Sequence, residues 1–228
     1  MTDTERHGSV AAQLADRLLK YQRNRLTLFD WIHPGWLDAE LFRAPGGASR
    51  GTHRRLARGV DAWLTAMGVR VPTLEAFRRE HALPGALPLD AALGALRLRA
   101  LFLRRAELRY WVDRESRERV VLWLGRHGSA ALRWLIETPN APALDRLMRD
   151  YDMPALDELD DLELAWEGYC LFANSGLCEA PMPAALLRFV WAQNAVAPPW
   201  VCAQEASVQR EDSNKVIRRL NDFFGSDT

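Results

Sequence analysis

The side chains able to do chemistry are few and scattered. His7, His33, His53, His81 and His127 each lack a second ligand at i+3 or i+4, the spacing that puts two metal ligands on one helix face. Cys170 and Cys178 are separated by seven intervening residues with no histidine nearby, and Cys202 is isolated. An odd set of thiols at irregular spacing points to reduced cysteines, acting as small hydrophobes, rather than to a disulfide framework. The sequence has no Walker loop, GxGxxG, GxSxG or HExxH. Its acidic clusters have no partner at a spacing that would mark a general acid and base. These absences predict a non-enzyme with no catalytic residue, no cofactor and no metal.

Charge is the next resource, and it is segregated. The formal net charge is zero, but residues 1–133 hold 23 basic and 14 acidic side chains, and residues 134–228 hold 7 and 16. Between Asp145 and Glu167 nine carboxylates face only Arg146 and Arg149. An acidic belt beside an Arg-rich half suits docking against charged protein surfaces. The plainer alternative is a set of solvated helix faces. Of the 30 basic residues 28 are Arg, so an Arg-rich helical nucleic-acid binder is the alternative function. Gly125-Arg126-His127-Gly128 matches the GXXG loop of KH domains, but such a loop belongs to a sheet-backed fold and no strand pattern flanks it.

Nine tryptophans complete the inventory. Trp63, Trp111, Trp123, Trp134, Trp166 and Trp191 fall at apolar helical positions and are expected in the core. Trp31, Trp36 and Trp200 sit beside prolines at helix breaks, where core packing is the first reading and exposure would mark a partner surface. Tryptophan is a favoured interface anchor. The candidate partner-binding residues are therefore Trp31, His33, Pro34 and Trp36, together with Asp157, Glu158 and Asp161 of the acidic belt.

The elements that must position these residues are helices. The chain has 34 Leu and 32 Ala against 3 Ile, 12 Val and 8 Thr. Leu and Ala favour helices, whereas β-branched residues lose rotamer freedom there. This composition predicts an all-α, multi-helix globular domain with a long central helix and no significant β-sheet. Helical spacing predicts a first helix over 8–31, a short one from Pro34 through Phe42, and a third ending at Gly68 in a left-handed cap. Residues 43–51 read as a flexible loop. Leu83-Pro84-Gly85-Ala86-Leu87-Pro88 reads as a hinge-like connection, dividing an N-terminal subdomain (1–82) from a main subdomain (83–228) that packs with it as one unit.

Leu89 to Val112 predicts a 24-residue central rod, apolar on more than one face. Another helix is expected to Leu124, then one capped by Ser129 over 130–137. Pro142 and Pro154 are expected in first turns. A long amphipathic helix is expected through Leu156, Leu159, Leu162, Trp166 and Tyr169 to Gly176, with Asp157, Glu158, Asp161 and Glu167 on its outer face. Pro183 opens a helix to about Asn194, and a final short helix carries Val216, Ile217, Leu220, Phe223 and Phe224. The first residues lack a basic segment followed by an apolar run, as a signal peptide requires. The longest uncharged stretch, 189–204, is broken by Pro198 and Pro199. A cytoplasmic location is expected.

Tyr21-Gln22-Arg23-Asn24-Arg25-Leu26-Thr27-Leu28-Phe29-Asp30-Trp31-Ile32-His33-Pro34-Gly35-Trp36-Leu37 resembles the N-terminal signature of SctK-type proteins, including their Hrp-type members. There an aromatic-rich stretch leads into a His-Pro-x-Trp-Leu or related step. Leu83 to Leu89, the Leu-rich centre and Arg104-Arg105-Ala106-Glu107-Leu108-Arg109 are similar to the family's middle. The resemblance covers roughly residues 20–125. It implies a helical cytoplasmic adaptor of the type III secretion sorting platform, peripheral to the inner-membrane apparatus and without a cofactor. It further implies partners: the cytoplasmic domain of an SctD-like ring protein and an SctQ-like pod protein, with SctL-like and SctN-like ATPase components reached indirectly.

Overall fold

The computed structural model describes residues 3–37, 52–139, 142–178 and 181–225, and among them all regular structure is helical, with no strand. The chain forms two compact units. The first comprises Met1–Pro88 and Ala180–Ala195, the second Leu89–Glu179 and Val196–Thr228.

In the first unit α1 (Asp3–Leu26) and α2 (Leu28–Trp31) replace the single helix expected over 8–31, with Thr27 between them. The Thr27 hydroxyl donates to the Arg23 carbonyl at 3.0 Å, the back-bonding that bends helices. Pro34–Trp36 form one 3-10 turn that stops at Leu37, whose backbone is extended, so the helix expected from Pro34 does not continue there; residues 38–42 and the loop over 43–51 lie outside the described residues. α3 (Thr52–Ala66) ends as expected, with Gly68 at φ +73° and Val69 N–H reaching back to the Leu64 carbonyl at 2.9 Å. α4 (Leu74–Arg78) is capped by the Thr73 hydroxyl.

The segment read as a hinge is interior. α5 (Leu83–Ala86) is wholly buried, as is Leu87 after it. Asn24, buried on α1, donates to the Leu87 carbonyl at 2.6 Å. Residues 180–195 return to this unit, and Gly85 packs so closely on Pro183 that a Cβ there would lie 2.2 Å from its carbonyl carbon. The segment expected as a helix to Asn194 is a 3-10 helix over Pro183–Val190. Tyr21, Leu28, Ile32, Val60, Trp63, Leu64, Phe77, Ala82, Leu186 and Phe189 form the core.

The second unit is organised around α6 (Leu89–Leu103). It is shorter than the expected rod, because the helix breaks at Arg104 and resumes as α7 (Arg105–Leu108). Leu96, Leu98, Ala100, Leu101 and Phe102 are all fully buried, so α6 has almost no wet face. α8 (Arg114–Leu124) starts at the Asp113 cap, and α9 (Gly128–Glu137) starts one residue before its expected cap, Ser129. α10 (Asp145–Tyr151) follows, with Pro142 and Pro154 outside the helices rather than in first turns.

α11 (Asp161–Asn174) packs most extensively on α6; in chain order α12 (Pro199–Cys202) and α13 (Ala206–Phe224) follow, and α13 also packs on α6. α13 is far longer than the expected terminal helix. Its polar first half conceals a buried face: Gln209 and Ser213 point inward with Val216, Ile217 and Leu220.

The α6–α11 contact needs a glycine. A Cβ on Gly168 would lie 1.8 Å from the Leu96 carbonyl oxygen, a clash with rigid helix backbone. Gly168→Ala is therefore expected to lower stability by about 3 kcal/mol, the upper range for overpacking, measured by urea denaturation.

Candidate functional site

Trp31, His33, Pro34 and Trp36 fall together in the first unit, where most of their contacts are internal. The His33 N–H donates to the Phe189 carbonyl at 2.8 Å, and its Nδ1 accepts from the Gly35 N–H at 3.0 Å. Trp36 Nε1 donates to the Trp191 carbonyl at 2.6 Å, and its ring meets Phe189 edge-on at 4.9 Å. The Arg188 guanidinium sits 5.2 Å from the Trp36 ring centroid and donates to the carbonyls of Ala192 and Gln193, both at 2.9 Å. Trp31 is half-buried against the same core, and Pro34 and Gly35 are exposed. The His-Pro-Gly-Trp step thus clasps the returning segment 181–195 and shows solvent a narrow Pro-Gly edge.

The nine carboxylates from Asp145 to Glu167 do not form one belt. Arg146 and Arg149 lie against Asp150 at 3.5 and 3.3 Å. Asp152 ends α10 in the left-handed region, with φ 52°. Asp160 caps α11, accepting from the N–H groups of Leu162 and Glu163 at 2.8 and 2.7 Å. Glu163 returns a bond to the Asp160 N–H at 2.9 Å, completing a capping box. Asp161, exposed at the first position of α11, pairs with Arg97 at 2.7 Å. Asp157 and Glu158 are the exposed residues of a 3-10 turn (Leu156–Glu158) before α11, anchored by the buried Leu156.

Two expectations on this segment are corrected. The helix begins at Asp161, not Leu156, and Leu162 is exposed. Glu167, expected on the outer face, is 1% exposed. It shares a helix face with Leu164, Gly168 and Leu171, a periodicity that could have identified it. Its carboxylate accepts from Arg104 Nε at 2.9 and 3.1 Å and lies 2.8 Å from Nη2. Arg104 also donates to Glu107 at 3.0 Å and to the Pro154 carbonyl at 2.8 Å. Burial pushes the Glu167 carboxyl above the usual carboxylate range, and the Arg104 charge pulls it back.

A second buried cation has no signature in residue spacing. Arg99 is fully buried and donates from Nε to Ser213 at 2.9 Å and from Nη2 to the Gln209 side chain. The Ser213 and Ser175 hydroxyls lie 2.8 Å apart. Burial lowers the Arg99 pKa to about 10, so the guanidinium stays charged at neutral pH among neutral partners. The 125–128 glycines serve a helix-to-helix turn. Gly125 has φ +76°, and a Cβ on Gly128 would lie 2.2 Å from the Val121 carbonyl oxygen. Cys170 and Cys178 are buried and Cys202 is exposed. Among the described residues no group of three or more His, Cys, Asp or Glu could hold a metal ion. Nor is any described helix long and apolar enough to cross a membrane.

This is a helical protein whose recognisable motifs hold its own segments together, and its relatives belong to bacterial protein secretion. The family model described as bacterial type III secretion protein (HrpB4) matches residues 8–225, and the chain belongs to that family. No curated protein and no solved structure matches the chain.

The buried pair and the exposed turn should respond very differently to substitution. Glu167→Gln removes the fully buried carboxylate, leaves Arg104 only the half-buried Glu107, and is expected to cost about 3 kcal/mol. Glu158→Lys on the exposed turn should stay within about 0.5 kcal/mol. Urea denaturation of the two variants beside the parent measures both.

Proposed function

We propose that this chain is a non-catalytic adaptor of the type III secretion sorting platform, joining an SctD-like ring protein to an SctQ-like pod protein at the cytoplasmic side of the inner membrane. Through the pod it reaches SctL-like and SctN-like ATPase components indirectly. The observation that carries this reading is membership of a type III secretion family over residues 8–225. The division into two compact units supports it further, because an adaptor needs two distinguishable docking regions.

The first unit offers the Pro34-Gly35 edge of the clasp formed with His33, flanked by the half-buried Trp31 and Trp36. The second offers Asp157 and Glu158 on their exposed turn. Asp161 contributes less to such a contact, since its carboxylate already pairs with Arg97.

The test is binding of the purified chain to the ring protein's cytoplasmic domain and to the pod protein of the same secretion system, separately and together. Both are expected to bind, and to bind at once. Failure to bind either one overturns the reading. Replacing Asp157 and Glu158 together by Lys is expected to weaken one partner and flatten its salt dependence, leaving the other unchanged. Titration by isothermal calorimetry at two salt concentrations measures both effects.

A further inference from the structure

Three of the four most exposed large apolar side chains of the second unit lie on or just before one helix, α8; the fourth, Val196, lies elsewhere. Tyr110, Val112 and Leu122 are 84%, 72% and 79% exposed. Val112 and Leu122 border a cavity of about 530 Å³ that also reaches Arg114, Arg117, Val121 and Ser129. A second cavity of about 280 Å³ shares Arg117, Val121 and Ser129 with the first and extends to Leu132, Arg133 and Ile136. The two are one continuous groove running along α8 and α9.

Its walls have helical spacing on both sides. Arg114, Arg117 and Val121 recur at i, i+3 and i+7 on α8, and Ser129, Leu132 and Ile136 do so on α9. The close seating of Gly128 on Val121 turns α9 back along α8. Two neighbouring helices with parallel ridges leave a furrow shaped for a third, which is how amphipathic helices are recognised in grooves. The furrow's floor is apolar, and its rim carries three arginines against two glutamates, Glu118 and Glu137. Arg117 and Arg133 are exposed on it, Arg114 pairs with Glu118 at 2.7 Å, and Glu137 stands at one end. An occupant with carboxylates beside its apolar ridge matches that rim; a basic one does not.

We propose that the α8–α9 groove is the docking site for an amphipathic helix of a partner protein, with its apolar ridge between Val121 and Ile136 and its carboxylates against Arg117 and Arg133. The inference rests on the adaptor reading and names a surface for one of its two partners.

The experiment measures binding of the full chain to the ring protein's cytoplasmic domain and, separately, to the pod protein. The variants are Leu122→Glu, Val112→Glu and Arg133→Glu. All three positions are exposed, so unchanged thermal unfolding is expected. Leu122→Glu and Val112→Glu should each weaken one partner at least about tenfold, the size of effect that losing a buried apolar anchor produces. Arg133→Glu should weaken the same partner and reduce its salt dependence, while the other partner binds as before. If the parent binds both partners and the variants bind equally well, the groove assignment falls and the adaptor reading stands. If the parent binds neither, both fall. Full affinity in Arg133→Glu overturns the acidic occupant. A parent that sediments as a dimer, with Leu122→Glu monomeric, makes the groove a contact between copies of this chain and overturns the proposal.

Discussion

A helix with almost no wet face that nevertheless carries guanidinium groups is the constraint on which the second unit depends. Arg99 near the end of α6, and Arg104 and Arg105 just past it, are buried, and each must find acceptors within the protein. Arg104 meets Glu167 on α11, Glu107 on α7 and the Pro154 carbonyl. Arg99 meets Ser213 and Gln209 on α13. Arg105 donates to the Phe102 carbonyl and lies 4.2 Å from the Phe102 ring centroid. Apolar packing would tolerate several rotations of α11 and α13 about α6, but these bonds accept one. A buried ion pair contributes little net stability over an apolar replacement, so its effect here is to select an arrangement.

The same arrangement accounts for the break between α6 and α7. Arg104 has a backbone conformation just outside the helical range, and its side chain reaches three acceptors from there. Small residues do the complementary job. Gly168 lets α11 approach the backbone of α6, and Gly94 makes room for the Phe224 ring of α13, which a Cβ would meet at 2.7 Å. Polar bonds set the rotation of each helix, and glycines set its distance.

The fold class and most helix positions were legible in the sequence, because composition and Pro/Gly punctuation report backbone preference directly. What escaped were buried faces made of polar residues. The first half of α13 offers almost no apolar periodicity, since the side chains turned inward are Gln209 and Ser213, and their reason for being there is Arg99 on another helix. Glu167 was misplaced for the same reason: a carboxylate looks like surface until its cation is known. The His-Pro-Gly-Trp step was visible as an unusual motif. That its principal contacts are with Phe189 and Trp191, more than 150 residues away in the chain, could not be read from spacing.

That distance matters for how the protein is made. The first unit is discontinuous, and its core includes Leu186 and Phe189 from the returning segment. On the ribosome, residues 1–88 emerge first with part of their core absent, and they must wait while the intervening ninety or so residues are added. At about 5–20 residues per second, the unfinished core stays exposed for several seconds at least. Trp36 and Trp63 are then without Phe189, their edge-on partner in the finished core. The amino-terminal unit is thus synthesised first and completed late.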